Sequence, residues 1–330
     1  MRALGLALIL CVLGNTAWAD TPDLGGIVDH HILPGYRALA EDAAALDDAA
    51  QADCAPNNEA LRAAYGQAFD AWIAVSHLRF GPSEKLDRAF ALAFWPDPRS
   101  KTPKTLLALL AAQDPVVAKI QTFRDVSIAV RGFYALEFLL YDTQFVEADE
   151  VYTCALIRAI AADIALNATG ILADWEGGYA DLLRLLENDI YRTEEEATRQ
   201  LFTALLAGLE FTSDARLGRP LGSFERPRPK RAEAWRSGRS LRHVVMSLHA
   251  TRALAYDLSR GDTALDAAFT SVIADAEALE DPIFAGVSDP ASRFRVEALK
   301  ARIDDLRNAL AEDLGLRLGI VAGFNSLDGD

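Results

Sequence analysis

The 330-residue chain is short of basic residues, because 33 lysines and arginines face 48 aspartates and glutamates and give a formal net charge of −15. Nucleic-acid binding requires clustered lysines and arginines that neutralise phosphates. The chain as a whole is therefore not predicted to bind nucleic acid. Low-complexity segments are also missing, and the 51% apolar and 25% charged residues are globular values that exclude fibrous and disordered classes.

The motifs of common enzyme classes are absent as well. The sequence has no GxSxG elbow, no HExxH zinc motif, no EF-hand loop and neither of the glycine-rich phosphate loops, GxGxxG and GxxxxGK(S/T). We interpret the adjacent His30 and His31 as a solvated pair and His77 as an interior residue. His243 and His249 are six residues apart and do not share a helix face. No histidine-based metal or nucleophile site is predicted.

The N-terminus has the pattern of a secretory signal. Arg2 precedes an apolar run over residues 3–13, and Ala17 and Ala19 place small residues at the two positions that a signal peptidase reads. We predict cleavage after Ala19, so that residues 1–19 are the signal peptide and the protein is located in the periplasm or cell envelope. The run is shorter than the roughly 20 apolar residues that span a bilayer. No later segment reaches that length without a charge, so no transmembrane segment is predicted.

Only three cysteines are present, and Cys11 falls within the predicted signal peptide, where the bulky Leu10 makes a poor lipoprotein cleavage site. Cys54 and Cys154 remain. An exported protein enters an oxidising compartment, so we predict a disulfide between these two. Two free, buried thiols are the alternative. Metal binding by the pair is not predicted, because no cysteine or histidine lies at ligand spacing from either one.

Helical periodicity runs through the chain, whereas strand-like alternation is essentially absent. Apolar residues recur at spacings of three and four, which places one apolar stripe on each helix. The predicted helices include residues 58–80, 157–175 and 299–314, and one that begins at a capping box of Thr193 and Glu196.

Such stripes, separated by short breaks, are typical of antiparallel helix bundles. We predict an all-α fold of two antiparallel four-helix bundles in series. The first bundle is placed in residues 20–145 and the second in residues 146–330. The second contains a long break rich in arginine, glycine and proline at residues 216–242.

This break, residues 216–242, is a basic segment in an acidic chain, with nine lysines and arginines against two glutamates. Arginine matches the geometry of carboxylates and phosphates, so the segment is one candidate for an anion site. The alternative is internal, with its arginines pairing with acidic helices across the bundle interface.

Glu137 also stands out, because it lies in a strongly apolar helix over residues 130–140. A carboxylate in such a place is costly unless it is paired or ligated. We infer that Glu137 binds a metal or meets an arginine, and the basic segment is the obvious source of that arginine.

Four short segments are informative as an ordered set. They are Leu78–Pro82, Arg131–Tyr141, Trp235–Leu241 and Gly323–Asp330. In this order, behind a signal peptide, they resemble the imelysin-like family of bacterial cell-envelope proteins, which is named after an insulin-cleaving peptidase and linked to iron uptake. The resemblance covers nearly all of the mature chain. It implies two four-helix bundles with a site at their junction.

The metal motif proposed for that family is GxHxxE. This chain has Gly132 and Glu137 at the motif spacing but Tyr134 in place of the histidine. A phenol with a pKa near 10 is a poor ligand for a divalent metal at neutral pH, although a phenolate binds ferric iron. The substitution therefore argues against peptidase activity through a motif-bound metal. The resemblance implies Glu137 as the site residue and metal ligand, and its implied neighbours are Arg236, Ser237, Arg239, Asn325 and Asp328.

The resemblance implies an exported, non-catalytic protein that binds iron, haem or an anionic iron chelate in iron acquisition, with iron or another divalent metal as the expected cofactor. One alternative is a metallopeptidase that uses Glu137 as ligand or base. The other is a periplasmic scaffold for envelope protein partners, in which Glu137 pairs with an arginine for structural reasons.

Overall fold

The chain is helical throughout the part that the structure describes. The computed structural model describes residues 21–145 and 150–320, in which no β-strand occurs and a single β-bridge joins Ser223 and Arg226. The all-α prediction is confirmed. The predicted signal peptide and the predicted site residues Asn325 and Asp328 lie outside the described residues.

Nine α-helices of ten or more residues lie within those two ranges. They are α1 (Leu33–Ala52), α2 (Glu59–Val75), α3 (Lys101–Ala112), α4 (Gly132–Tyr141), α5 (Glu150–Asp174), α6 (Glu194–Glu210), α7 (Ser240–Leu258), α8 (Thr263–Glu277) and α9 (Pro290–Ala309). Shorter helices cover Leu24–Ile27, Arg88–Leu92, Ile120–Phe123, Ala180–Leu185, Gly218–Leu221 and Gly315–Arg317. Helical turns of π type border α1, α5, α6 and α9 at Val28–Ile32, Trp175–Tyr179, Phe211–Leu217 and Leu310–Leu314.

Helices begin where the sequence supplies a cap. The Asn58 side chain accepts a hydrogen bond from the backbone N–H of Leu61 (2.8 Å) at the start of α2. At the start of α6, the Thr193 hydroxyl accepts from the backbone N–H of Glu196 (3.3 Å), as the predicted capping box requires. The Glu196 carboxylate reaches back to the N–H of Arg192 rather than to that of Thr193. Such caps satisfy N–H groups that have no partner inside the helix.

Contacts between helices divide eight of the nine into two sets. In the first set α1 and α4 each pack against both α2 and α5, and in the second set α7 and α9 each pack against both α6 and α8. Helices α2 and α7 join the two sets. The division into two sets is compatible with two bundles, and the two-bundle arrangement, with its antiparallel order, stays a prediction.

Helix α5 belongs by its contacts to the first set. It packs against α1 and α4, and its buried Asp163 accepts two hydrogen bonds from Arg131 at 2.7 and 2.8 Å. A boundary after residue 145 would separate α5 from these partners. We therefore propose that the division lies between Leu185 and Glu194, at the next break in the helices.

By length and composition alone, one described helical stretch, residues 150–185, is able to cross a membrane. More than half of its most apolar part is buried within the protein. The stretch also contains Asp163, which is fully buried and paired with Arg131. Both features are typical of the core helix of a globular protein.

The predicted disulfide between Cys54 and Cys154 is present, with the two Cα atoms 5.2 Å apart. It connects the segment after α1 to the first turns of α5, across 100 residues of sequence. The alternative of two free thiols is excluded.

Candidate functional site

Helix α4 brings Gly132, Tyr134 and Glu137 into the interior between the two helix sets. Gly132 is its first residue and has a φ of +72°. A Cβ atom there would lie 2.2 Å from the carbonyl oxygens of both Ala91 and Leu92. Because only glycine tolerates this φ and this approach, Gly132 fixes how α4 enters the core.

A buried cluster forms around Glu233, which follows the basic turn at residues 229–231. The Tyr134 hydroxyl donates to Glu233 Oε1, Arg216 Nε donates to Oε2 at 2.7 Å, and His243 Nδ1 lies 3.1 Å from Oε2. Each of these residues is at most 6% exposed. We call the four residues the Glu233 cluster.

The charges of the Glu233 cluster balance internally. Burial acts to raise the pKa of Glu233, but the Arg216 and His243 groups and the hydrogen bonds it accepts outweigh burial and hold the pKa at about 2. Burial, with the nearby Glu233 charge, raises the pKa of Tyr134 well above its ordinary value. Burial lowers the pKa of His243 although Glu233 opposes this. The cluster is therefore an ionised Arg216–Glu233 pair with a neutral phenol and a neutral imidazole.

Glu137 is 2% exposed and has a partner of its own. Ser237 donates both its backbone N–H (2.9 Å) and its hydroxyl (2.8 Å) to Glu137 Oε1. Burial raises the pKa of Glu137, and the Ser237 hydrogen bonds and the Arg236 charge offset only part of that effect. The structure thus brings together Glu137 and Ser237, 100 residues apart in sequence.

The two arginines implied as neighbours of Glu137 bind other carboxylates. Arg236 Nε donates to Asp142, and its guanidinium lies 3.7 Å from the centroid of the Phe138 ring. Arg239 donates to Asp70. With the Arg216–Glu233 pair, these contacts show that much of the basic segment is paired within the protein, as one of the two interpretations held.

Sequence reasoning missed Glu233, Arg216 and His243 as members of one cluster. The available signal was Glu233 itself, an acid placed between Ala232 and Ala234 inside a segment of nine bases. Acidic residues are almost never fully buried unless paired. An acid flanked by small apolar residues and surrounded by arginines was therefore a candidate for a buried ion pair.

Two cavities share Trp95 and Tyr134 among their lining residues. The first has a volume of about 170 Å³ and is also lined by His77. The second has a volume of about 200 Å³ and is also lined by Glu137 and Trp235. Aromatic walls with a few polar groups are typical of small-molecule sites. We call the second one the Glu137 cavity and take it as the candidate site, because it contains the carboxylate that the sequence singled out.

His31 is half-buried and bonded to another histidine, so the interpretation of His30 and His31 as a solvated pair was wrong for His31. Its Nε2 atom lies 3.0 Å from Nε2 of His77, whereas His30 is exposed. His77 is 6% exposed, as predicted for an interior residue. Such a hydrogen bond requires one N–H donor and one lone pair, so at least one of the two rings is neutral. Burial lowers the pKa of His31 to about 4 and lowers that of His77 well below 6.5.

Acid should weaken the fold through this pair. Because the folded pKa of His31 lies below its unfolded value, its contribution is complete above pH 6.5 and is lost as the pH falls through about 4. We expect the wild type to lose about 2–3 kcal/mol more of its free energy of unfolding between pH 7 and pH 4.5 than His31→Gln does. Urea unfolding at several pH values measures this. His30→Gln, at the exposed neighbour, should keep the wild-type dependence of the free energy of unfolding on pH. The same pH dependence in all three proteins would contradict the lowered pKa of His31.

Known proteins resemble this chain in sequence and in fold. The sequence profile of the family described as Imelysin, a peptidase family, matches residues 32–310. Iron-regulated protein A of Synechococcus elongatus is 27% identical over 270 residues, which are 78% of this chain and 69% of that protein. A crystal structure of an imelysin-like protein from Psychrobacter arcticum has a TM-score of 0.75 at 20% identity, covering 91% of this chain and 96% of that chain. A protein named as an iron-regulated protein A precursor, from Parabacteroides distasonis, has a TM-score of 0.73 at 14% identity over 91% and 94% of the two chains. Since the family profile spans most of the sequence, the chain belongs to the imelysin family.

Proposed function

We propose that this chain is an exported envelope protein that binds an iron-containing ligand in iron acquisition and does not cleave peptides. The relative named iron-regulated protein A supports the link to iron. The N-terminal signal pattern and the relative named as a precursor support export.

The absence of peptidase activity is proposed on one observation. The side chains at the motif positions are already hydrogen-bonded to other residues of the protein. Tyr134 replaces the histidine of the motif and donates its hydroxyl to Glu233. Glu137 accepts two hydrogen bonds from Ser237. A catalytic zinc site needs three protein ligands and an open position, and no group of three or more histidine, cysteine, aspartate or glutamate side chains is arranged to hold a metal among the described residues. The residues at the motif therefore do not fit a catalytic metal.

The same observations bear on the form in which iron would bind. A bare ion would need ligands that the described residues do not group together, whereas a chelate brings its own. The two cavities at Tyr134, of about 170 and 200 Å³, are smaller than the roughly 300–1,000 Å³ of sites for drug-sized ligands, which disfavours haem at this site. An anionic iron chelate of low mass is the ligand that this proposal favours.

Equilibrium dialysis with iron analysis tests the proposal. We expect ferric citrate to bind, with ferrous and zinc ions binding much more weakly. Glu137→Ala should weaken chelate binding at least about tenfold, because the loop that carries Lys230, Arg231 and Ser237 loses the carboxylate that accepts both Ser237 hydrogen bonds. The control is Glu225→Ala, at an exposed glutamate of the basic segment.

Two results would contradict this function. One is the absence of binding to iron in any form, which would favour the scaffold alternative. The other is insulin cleavage that chelators inhibit and that Glu137→Ala abolishes, which would establish the metallopeptidase alternative.

A further inference from the structure

The Glu137 cavity is lined by three bases that have no carboxylate partner among the described residues, namely Arg219, Lys230 and Arg231. Four of the other six bases of the segment each bind an aspartate or glutamate: Arg216, Arg236, Arg239 and Arg242. The remaining two, Arg226 and Arg228, are exposed and do not line the cavity. Among the described residues, internal pairing thus leaves three of the four bases that line the cavity, all except Arg236, without a carboxylate partner.

Arg219 shows that this arrangement is unfavourable by itself. Its Nε atom is buried without a hydrogen-bond partner, although its guanidinium lies 5.6 Å from the centroid of the Trp95 ring. Burial lowers the pKa of Arg219, and the positive charge of Arg231 lowers it further. A buried donor without an acceptor and two neighbouring like charges both cost free energy. An anion in the cavity would relieve both.

Aromatic rings hold the cations at the cavity without neutralising them. Lys230 Nζ lies 5.7 Å from the centroid of the Trp235 ring, as Arg219 lies over Trp95. Cation–π contacts attract a positive group and leave its charge in place. The three unpaired bases outnumber Asp97 and Glu137, the two acidic residues of the lining, so the cavity presents an excess of positive charge in a volume of about 200 Å³, which suits a small anion.

Asp97 requires a hydrogen-bond donor on the ligand, whereas the bases require negative charge. Its Oδ2 atom accepts a hydrogen bond from the backbone N–H of Thr102 (2.8 Å) at the start of α3, but its Oδ1 atom is buried without a partner. Asp97 lines the same cavity. A carboxylate oxygen accepts hydrogen bonds only, so a matching ligand carries a hydroxyl donor besides its negative charges.

We propose that the Glu137 cavity binds a small hydroxycarboxylate anion, whose carboxylates pair with Arg219, Lys230 and Arg231 and whose hydroxyl donates to Asp97. This inference rests on the proposed function, because such an anion is the chelating part of the ligand that the function requires. The proposed contacts are made by the anion and not by the metal, so the experiment uses the metal-free anion.

Calorimetric titration of the full chain with metal-free anions, in a buffer without citrate or phosphate at 0.15 M salt, tests the ligand class. Citrate should bind at least about tenfold more tightly than tricarballylate, which has the same three carboxylates and lacks the hydroxyl. Asp97→Asn should remove most of that preference. Equal binding of the two ligands, or tighter binding of inorganic phosphate than of citrate, would overturn the hydroxycarboxylate assignment.

A pair of matched double variants tests the site. Lys230→Gln with Arg231→Gln removes two exposed cations at the cavity and should weaken citrate binding at least about tenfold. Arg226→Gln with Arg228→Gln removes the same charge from exposed positions that do not line the cavity. At this salt concentration the Debye length is about 8 Å, so the control should change binding less than about threefold. Equal losses in both variants would show unspecific attraction and overturn the site.

The two experiments distinguish loss of the anion site from loss of the iron-binding function. Binding of metal-free citrate without binding of ferric citrate would retain the anion site and reject the iron function. Binding of ferric citrate that is unchanged in the Lys230→Gln, Arg231→Gln variant would retain the function and reject this site.

Discussion

Replacing Glu233 with alanine should lower the free energy of unfolding by about 3–5 kcal/mol, because removing one partner of a buried ion pair leaves the other charge uncompensated. Arg216 is 3% exposed and its Nε donates to Glu233 at 2.7 Å. The Tyr134 hydroxyl and the His243 ring also lose their partner. Urea unfolding at pH 7, followed by circular dichroism, measures the loss.

Variants in the same segment separate this effect from ordinary surface changes. Glu225→Ala removes an exposed glutamate and should stay within about 0.5 kcal/mol of the wild type. Glu233→Gln keeps an acceptor for Tyr134 but not the charge, so it should fall between the two alanine variants. Combining Glu233→Ala with Arg216→Met should restore part of the lost stability, because no unpaired charge is then buried. A Glu233→Ala protein as stable as Glu225→Ala would contradict the role assigned to the cluster.

The helices were predictable because their determinants are local. The apolar spacing over residues 58–80 and the capping residue Thr193 act within one or two turns, and α2 and α6 begin at Glu59 and Glu194 accordingly. The need of Glu137 for a partner was predictable as well, because a carboxylate in an apolar helix is costly unless paired, but its hydrogen-bond donor is Ser237 and not the expected arginine. That partner, Ser237, came from the family resemblance, which carried information across 100 residues that periodicity does not contain.

The division of the basic segment into paired and unpaired bases was not predictable from the sequence. Whether an arginine is neutralised depends on which carboxylate lies beside it in the fold. Arg236 meets Asp142 and Arg239 meets Asp70 because the segment lies against α2 and the end of α4. Nothing in the spacing of the segment distinguishes these arginines from Arg219. The predicted internal pairing is thus confirmed for four of the nine bases, and the anion site stays a proposal for the bases that line the cavity.

The interpretation of His31 as a solvated residue was wrong for a related reason. On a helix, neighbouring residues face different directions, so His30 and His31 need not share an environment. His30 is exposed, while His31 turns inward to His77, 46 residues away. A tertiary contact of this length leaves no mark in either local sequence.

Removing the disulfide should also cause a large loss of stability. Cys54→Ser with Cys154→Ser frees a loop of 100 residues in the unfolded chain, which costs about 4–5 kcal/mol of stability in the chain-entropy model. The bond also ties the segment after α1 to α5, two elements of the first helix set. Because the loop includes α2, α3 and α4, the loss should appear in the unfolding of the entire first set rather than as local fraying. Guanidinium unfolding of the oxidised protein and the double variant measures it.

Reductant supplies the matched control for this prediction. The wild type with reductant should unfold at the same denaturant concentration as the double variant, and reductant should not change the double variant further. Both proteins are prepared as residues 20–330, which exclude Cys11, so that any response to reductant comes from one bond. If the oxidised and reduced proteins unfold together, the loop between the cysteines is already restricted in the unfolded state. The stability of the first helix set would then come from its packing alone, from contacts such as that of Asp163 with Arg131.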